Sequence, residues 1–131
     1  MPHLSITYSA NIEDRIDMLE LCNTLRVAMI ETGIFPLAGV RVRAFRADHV
    51  SIADGNPDHG YIDMSVRLRA GRDLETRKRA TALIFRAAET FLEPAMQTHS
   101  IALSFEMRDI DPELSPKSGS IRDHLKKGDH Q

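Results

Sequence analysis

The chain has 131 residues, a formal net charge of −2 at pH 7 and a single cysteine, Cys22. This length suits one domain with an ordinary hydrophobic core, and the near-neutral charge does not favour nucleic acid as a partner. Aromatic residues make up 5% of the chain and tryptophan is absent, which disfavours a base-stacking surface. The lone cysteine and the lack of a signal peptide predict a cytoplasmic location, and no apolar run approaches the ~20 residues of a membrane span.

The first half of the chain has a strand–helix–strand pattern. Residues His3 to Tyr8 alternate apolar and polar side chains, the period of a half-buried strand. A helix capped by Asn11 is predicted to end at Thr32-Gly33, because apolar residues recur between them at spacings of three and four. The apolar stripe of this helix consists of Met18, Leu21, Cys22, Leu25, Ala28 and Met29. After a linker that contains Pro36, alternation predicts a second strand from Val40 to about Ser51.

The second half repeats this order after a turn signal at residues 54–58. Tyr61 to Arg69 alternates as a strand, and Asp73 can cap a second helix. The apolar stripe of that helix consists of Ala80, Leu83, Ile84, Ala87 and Phe91. Pro94 is predicted either to end the helix or to start one extra turn. Ser100 to Arg108 alternates as a fourth strand.

These elements predict a single α/β (α+β) domain over residues 1–131. It contains two βαβ units, residues 1–52 and 60–110, each a right-handed crossover between parallel strands. The units form a four-stranded mixed sheet with both helices on one face, followed by a tail over residues 111–131. Within the tail only Ile121 to Lys127 has the pattern of a short helix. The other face of the sheet is predicted to carry Ser5, Thr7, Arg41, Arg43, Asp63, Ser65 and Ser104.

Pro2 is the first candidate for chemistry. If Met1 is removed, Pro2 supplies a secondary amine at the start of a strand, which no internal residue can offer. Many chains begin with Met-Pro without consequence, so this feature needs support from elsewhere. Arg72 lies near the predicted start of the second helix, where an anion is favoured, and its forked guanidinium fits a carboxylate. Arg41 begins the second strand and shares its side with Arg43. Taken singly, either arginine could equally be a solvated surface charge.

Other kinds of site have little support in the sequence. The histidines are scattered without the spacing of metal ligands, so no metal is expected. Cys22 falls on the apolar stripe of the first helix and is expected in the core. The basic run around Arg77 is interleaved with acidic residues and is expected to be a solvated helix face. Neither a phosphate-binding glycine loop nor a nucleophile elbow is present.

A set of short segments resembles one known family. The segments are Pro2-His3, Tyr8-Ser9 with Asn11, Thr32 to Gly39, Gly39 to Arg43, Ala53 to Gly55, Ala70 to Glu75, and Ala102 to Glu106. From Met1 to about Leu125 the chain resembles the tautomerase superfamily and, within it, the 5-carboxymethyl-2-hydroxymuconate isomerases. The block from Thr32 to Gly39 is specific, whereas the Met-Pro start is not.

The resemblance implies a homotrimer with active sites near the subunit contacts and a role in bacterial breakdown of aromatic acids. It implies Pro2 as the catalytic base, with Arg41 and Arg72 as catalytic residues that hold substrate carboxylates. Arg43 also matches the motif, but no role is assigned to it. The expected reaction is keto–enol tautomerisation of an unsaturated dicarboxylate without a cofactor. Burial and nearby arginines would lower the pKa of such an amine toward the range of a base at neutral pH.

Two alternatives remain open from the sequence. The same element order fits a ferredoxin-like binding or regulatory module, in which Pro2 is incidental and the ligand is a small acidic effector. The chain could also share the tautomerase fold and the proline but catalyse hydration, decarboxylation or dehalogenation of an unsaturated acid. Neither nucleic acid nor a membrane is expected as a partner.

Overall fold

The chain folds into one mixed sheet with two long helices. The structure, a computed structural model, describes residues 2–126. In chain order the elements are β1 (His3–Ser9), α1 (Met18–Glu31), β2 (Arg41–Ala47), β3 (Gly60–Arg69), α2 (Leu74–Thr98) and β4 (Ile101–Ile110). The strand order is β2-β1-β3-β4. The pairs β1–β2 and β3–β4 are parallel and the central pair β1–β3 is antiparallel. The predicted four-stranded mixed sheet of two βαβ units with two helices is therefore confirmed.

The hydrophobic core lies between the helices and one face of the sheet. Along β1, Leu4 and Ile6 are fully buried, whereas the intervening Ser5 is only partly buried and Thr7 is exposed. The same alternation in β3 buries every second residue. The core residues of the four strands and two long helices are Leu4, Ile6, Tyr8, Ile62, Met64, Val66, Leu68, Leu21, Leu25, Met29, Ile84, Ala88 and Leu92. Both helices cover this face, and the predicted polar side chains lie on the other one.

The start of α1 differs from the prediction. Asn11 does not cap it, because Ala10–Asp14 forms a short 3-10 helix and α1 begins only at Met18. The cap is Asp17, whose carboxylate accepts from the backbone N–H of Glu20 at 3.1 Å. The Asn11 amide instead donates to the backbone oxygen of His59 at 2.9 Å. Asn11 thus ties the end of β1 to the turn before β3, a long-range contact that local spacing cannot reveal.

The second helix follows one of its two predicted endings. Asp73 caps α2 by accepting from the N–H of Thr76 at 2.8 Å. Pro94 lies inside the helix, which continues to Thr98. The helix therefore gains the extra turn rather than stopping at the proline. The buried stripe also continues beyond the prediction, through Leu92 and Ala95, whereas Leu83 is 36% exposed.

Strand and tail boundaries differ more modestly. β2 ends at Ala47 rather than near Ser51, where Arg46 pairs with Asp48 at 2.8 Å. In the tail, the predicted short helix is a 3-10 helix over Ile121–His124. The predicted helix end at Lys127, and with it residues 127–131 and Met1, lies outside the described residues. The division into a single domain stays a prediction. No helix within residues 2–126 is both long and apolar enough to cross a bilayer.

Candidate functional site

Pro2 lies buried at one end of the sheet. It directly precedes β1, whose first residue, His3, pairs with Arg41 at the start of β2 and with Arg67 near the end of β3. Neighbouring strands are about 4.8 Å apart. Arg41 therefore begins the strand beside Pro2, and the two predicted site residues come together at the same end of the sheet.

Basic side chains form a row across this end of the open face. The register places Arg41, His3, Arg67 and Arg108 side by side on all four strands. Arg43, one row further along, approaches the Nδ1 atom of His3 with its Nη1 atom at 3.1 Å. Since a guanidinium only donates hydrogen bonds, Nδ1 must accept and carry no proton.

His3 is neutral in this setting. Burial is the largest cause, and together with the charges of Arg43, Arg67 and Arg41 it lowers the pKa of His3 from 6.5 to about 4. The imidazole therefore adds no positive charge at neutral pH, and the cationic character of the row comes from the arginines. No sequence motif predicts a role for His3. The alternating pattern shows which side of its strand His3, Arg41 or Arg43 occupies. It does not give the strand order that makes these residues neighbours.

Arg72 is held by the backbone around it. It follows Gly71, which has a φ of +124° in the left-handed region that favours glycine. Its Nη2 atom donates to the backbone oxygen of Ile34 at 2.6 Å and its Nη1 atom to that of Arg69 at 3.1 Å. The guanidinium carbon lies 5.6 Å from the centre of the Phe35 ring. Arg72 therefore joins the β3–α2 turn to the segment between α1 and β2.

That segment forms part of a cavity beside Arg41. Pro36 and Gly39 line a space of about 410 Å³ together with Arg41 and residues of the tail. A second cavity of about 300 Å³ is lined by His3 and Arg67, again with residues of the tail. Both volumes are in the range of small-ligand sites. Arg41 thus opens into a space that can hold a small carboxylate, and Arg72 holds the segment that lines it.

A second polar cluster lies on the turns between β2 and β3 and between α2 and β4. His59 contacts Ser100 Oγ through Nδ1 at 2.7 Å and Asp54 Oδ1 through Nε2 at 2.8 Å. This order of contacts resembles a hydrolytic triad. However, the nearby N–H groups of Gly55, Asn56 and Gly60 already donate to oxygens within these turns. No oxyanion hole is formed by them, so the cluster fixes the turns. Among residues 2–126, no group of three or more His, Cys, Asp or Glu side chains could hold a metal ion.

Comparison with known proteins identifies the family. The family model for 5-carboxymethyl-2-hydroxymuconate isomerase matches residues 2–125. The chain belongs to this family. A 5-carboxymethyl-2-hydroxymuconate Delta-isomerase of Escherichia coli is 35% identical over 121 residues, which cover 92% of this chain and 96% of that protein.

Solved structures of similar proteins support the same family and fold. A crystal structure of a 5-carboxymethyl-2-hydroxymuconate delta-isomerase matches with a TM-score of 0.90 and 31% identity, covering 98% of this chain and 95% of the other. A fused 4-OT described as a symmetric trimer shares the fold, with a TM-score of 0.69, 18% identity, and coverage of 88% and 93%. The predicted family, fold class and isomerase class are therefore confirmed. The roles of Pro2, Arg41 and Arg72 stay predictions.

Proposed function

We propose that this chain isomerises 5-carboxymethyl-2-hydroxymuconate or a similar unsaturated 2-hydroxy polycarboxylate to its 2-oxo form, with the amino group of Pro2 as general base. The observation that carries this proposal is that Pro2 lies buried directly before His3, the residue that pairs with Arg41, and that Arg41 lines a cavity of about 410 Å³. The substrate class comes from the names of the family and of the Escherichia coli relative. The proposed reaction uses no metal and no organic cofactor.

The proposed proton path uses one nitrogen twice. The unprotonated Pro2 amine takes the proton of the 2-hydroxyl group as the C2–O bond becomes a carbonyl. The double bonds shift along the conjugated chain, and the Pro2 ammonium returns the same proton to a chain carbon. Nothing is oxidised and no group leaves, so atoms and electrons balance. Because an amide nitrogen cannot do this, the proposal requires removal of Met1.

Arg41 is proposed to hold the carboxylate next to the hydroxyl group. A guanidinium there offsets the negative charge that develops on the carboxylate and carbonyl oxygens as the proton leaves. Arg72 was predicted to share this role. We propose that it positions the segment that lines the cavity, because two of its donors are bound to Ile34 and Arg69. Any contact of Arg72 with substrate would use its remaining N–H groups.

A homotrimer is also proposed. Strands β2 and β4 are the two edges of the sheet in the described chain, and unpaired edges favour association. Phe45 lies on the open face at the β2 edge and is 54% exposed. The fused 4-OT that shares the fold is described as a symmetric trimer. A cytoplasmic location stays a prediction.

The experiment that tests the proposed substrate class compares two dienol acids that differ by one carboxylate. Ketonisation of each is followed in the ultraviolet for the parent protein and for Arg41→Ala. Loss of one charge-assisted pair, worth roughly 1.5–3 kcal/mol, should lower kcat/KM of Arg41→Ala about 10- to 150-fold for both acids, because both carry the carboxylate next to the hydroxyl group. If the parent protein does not distinguish the two acids, the assignment to polycarboxylates is wrong.

A further inference from the structure

The tail after β4 passes over the Pro2 end of the sheet. β4 ends at Ile110 on one edge. The tail residues that border the cavity with His3 and Arg67 are Pro112, Ser115, Pro116 and Lys117. Those that border the cavity with Arg41 are Lys117, Ser118, Gly119, Ile121 and Arg122. Lys117 lines both cavities. The tail therefore runs back from the β4 edge to the β2 edge and forms one wall of the cavities beside His3 and Arg41.

The charges in these two cavities have one sign. Arg41, Lys117 and Arg122 line the larger cavity, and none of its lining residues within the described range 2–126 is acidic. The smaller cavity adds Arg67 and Arg69, and its described lining residues likewise include no acidic side chain. Three other surface clefts in the described part of the chain each include at least one acidic residue. Cations that line the same cavity repel one another, and a bound anion relieves that repulsion.

The number of cations also fits the proposed substrate. A muconate carries two carboxylates, and a carboxymethyl substituent adds a third. Arg41 can bind one of them with its fork. Arg72 has two of its donors committed to the backbone oxygens of Ile34 and Arg69. The remaining carboxylates need other partners, and Lys117 and Arg122 are the further cations of the Arg41 cavity.

We propose that Lys117 and Arg122 of the tail bind the carboxylates of the substrate that lie remote from the reacting hydroxyl group. This inference rests on the proposed function for the identity of the substrate, but not for the presence of an anion site. The tail is then a specificity element. It favours acids with two or three carboxylates over acids with one, and it takes no part in moving the proton.

The test uses Lys117→Ala, Arg122→Ala and the double variant, with Lys126→Ala as the matched control. Lys126 is an exposed cation of the same tail and lines neither cavity. Because Lys117 and Arg122 are also exposed, we expect each single change to raise KM for the polycarboxylate about 3- to 10-fold and the double change about 10- to 30-fold. We expect kcat to change less than about twofold, because the tail would bind the substrate and the transition state equally strongly.

Three further measurements distinguish the loss of charge at Lys117 and Arg122 from a change in the structure of the tail. KM for a monocarboxylate dienol should be unchanged in every tail variant, and Lys117→Arg should restore most of the affinity. Raising the salt concentration should weaken polycarboxylate binding to the parent protein more than to the double variant. Urea denaturation should show all variants as stable as Lys126→Ala.

The outcomes distinguish this inference from the proposed function. If the parent protein isomerises the acid but the double variant has the same KM as Lys126→Ala, the tail site is wrong and the function stands. If the parent protein has no isomerase activity, the proposed function fails, and calorimetric titration with an inert tricarboxylate tests the tail directly. Weaker binding by the double variant than by Lys126→Ala then supports the anion site, and equal binding overturns it.

Discussion

Replacing Arg72 by alanine should destabilise the segment between α1 and β2. The partly buried bond from Arg72 to the Ile34 oxygen, at 2.6 Å, is the stronger of its two backbone bonds. A hydrogen bond from a charged donor is worth about 1.5–3 kcal/mol, and an exposed cation–π contact about 0.5–1 kcal/mol. Solvent competes for the exposed bond to the Arg69 oxygen. The expected loss in the free energy of unfolding is therefore about 2–3 kcal/mol.

Urea denaturation followed by far-ultraviolet circular dichroism measures this loss. Arg26→Ala, at an exposed position on α1, is the control and should change stability by less than about 0.5 kcal/mol. Arg72→Lys should recover only part of the loss, because lysine cannot reach two carbonyl oxygens with one planar fork. Since the segment that Arg72 holds lines the cavity, kcat/KM should fall equally for monocarboxylate and polycarboxylate acids.

One result would refute this reasoning. If Arg72→Ala unfolds at the same urea concentration as Arg26→Ala, Arg72 does not anchor the segment. If kcat/KM also falls for the polycarboxylate alone, Arg72 is a direct carboxylate ligand, as the sequence predicted.

Four other predictions follow from the structure. Sedimentation equilibrium should report about three times the chain mass of 14.7 kDa, and a monomer at micromolar concentration would contradict the trimer. The pKa of His3 is about 4 in the folded chain and 6.5 in a free side chain, so the unfolded state takes up its proton first as the pH falls below 6.5 and stability decreases toward pH 4. When the pH falls from 7 to 5, the free energy of unfolding should decrease by about 1 kcal/mol more for the parent protein than for His3→Gln, after allowance for solvent screening. Equal decreases in urea denaturation curves would show that the pKa of His3 is not lowered. Asp17→Ala should lower the free energy of unfolding by about 1 kcal/mol, because it removes the cap of α1. If Asn11 were the cap instead, Asp17→Ala would leave stability unchanged. Gly60→Ala should cost about 1–3 kcal/mol, because a Cβ atom there would lie 2.8 Å from Asn11 Oδ1, and an unchanged thermal midpoint would show that Asn11 can move aside.

The sequence predicted the elements well where the pattern is local. Alternation in β1 and β3 is clean because one face is buried under helices, so strand parity and the polar side of the sheet follow directly from it. The start of α1 was misplaced because Asn11 is as good a local cap as Asp17. Only the contact of Asn11 with the turn before β3 decides between them, and no helical spacing contains that information.

The candidate site was predicted in part. The motifs indicated Pro2, Arg41 and Arg72, and the structure brings Pro2 and Arg41 together through strand register. The bond of Arg72 to the Ile34 oxygen could not be foreseen, because it joins residues 38 positions apart. Lys117 and Arg122 were not predicted as site residues for a related reason. Their tail has little secondary structure, and only its path back across the sheet brings these cations to Arg41.

The most direct test of the central claim compares the same protein with a free and a blocked Pro2 nitrogen. Intact mass establishes whether Met1 is absent in one preparation and present, or replaced by an N-terminal tag, in the other. With the amine free, ketonisation of the polycarboxylate dienol should be fast. With the nitrogen in an amide, kcat should fall at least about 100-fold, the usual contribution of a positioned general base. Equal rates from the two preparations would contradict the assignment of Pro2 as the base.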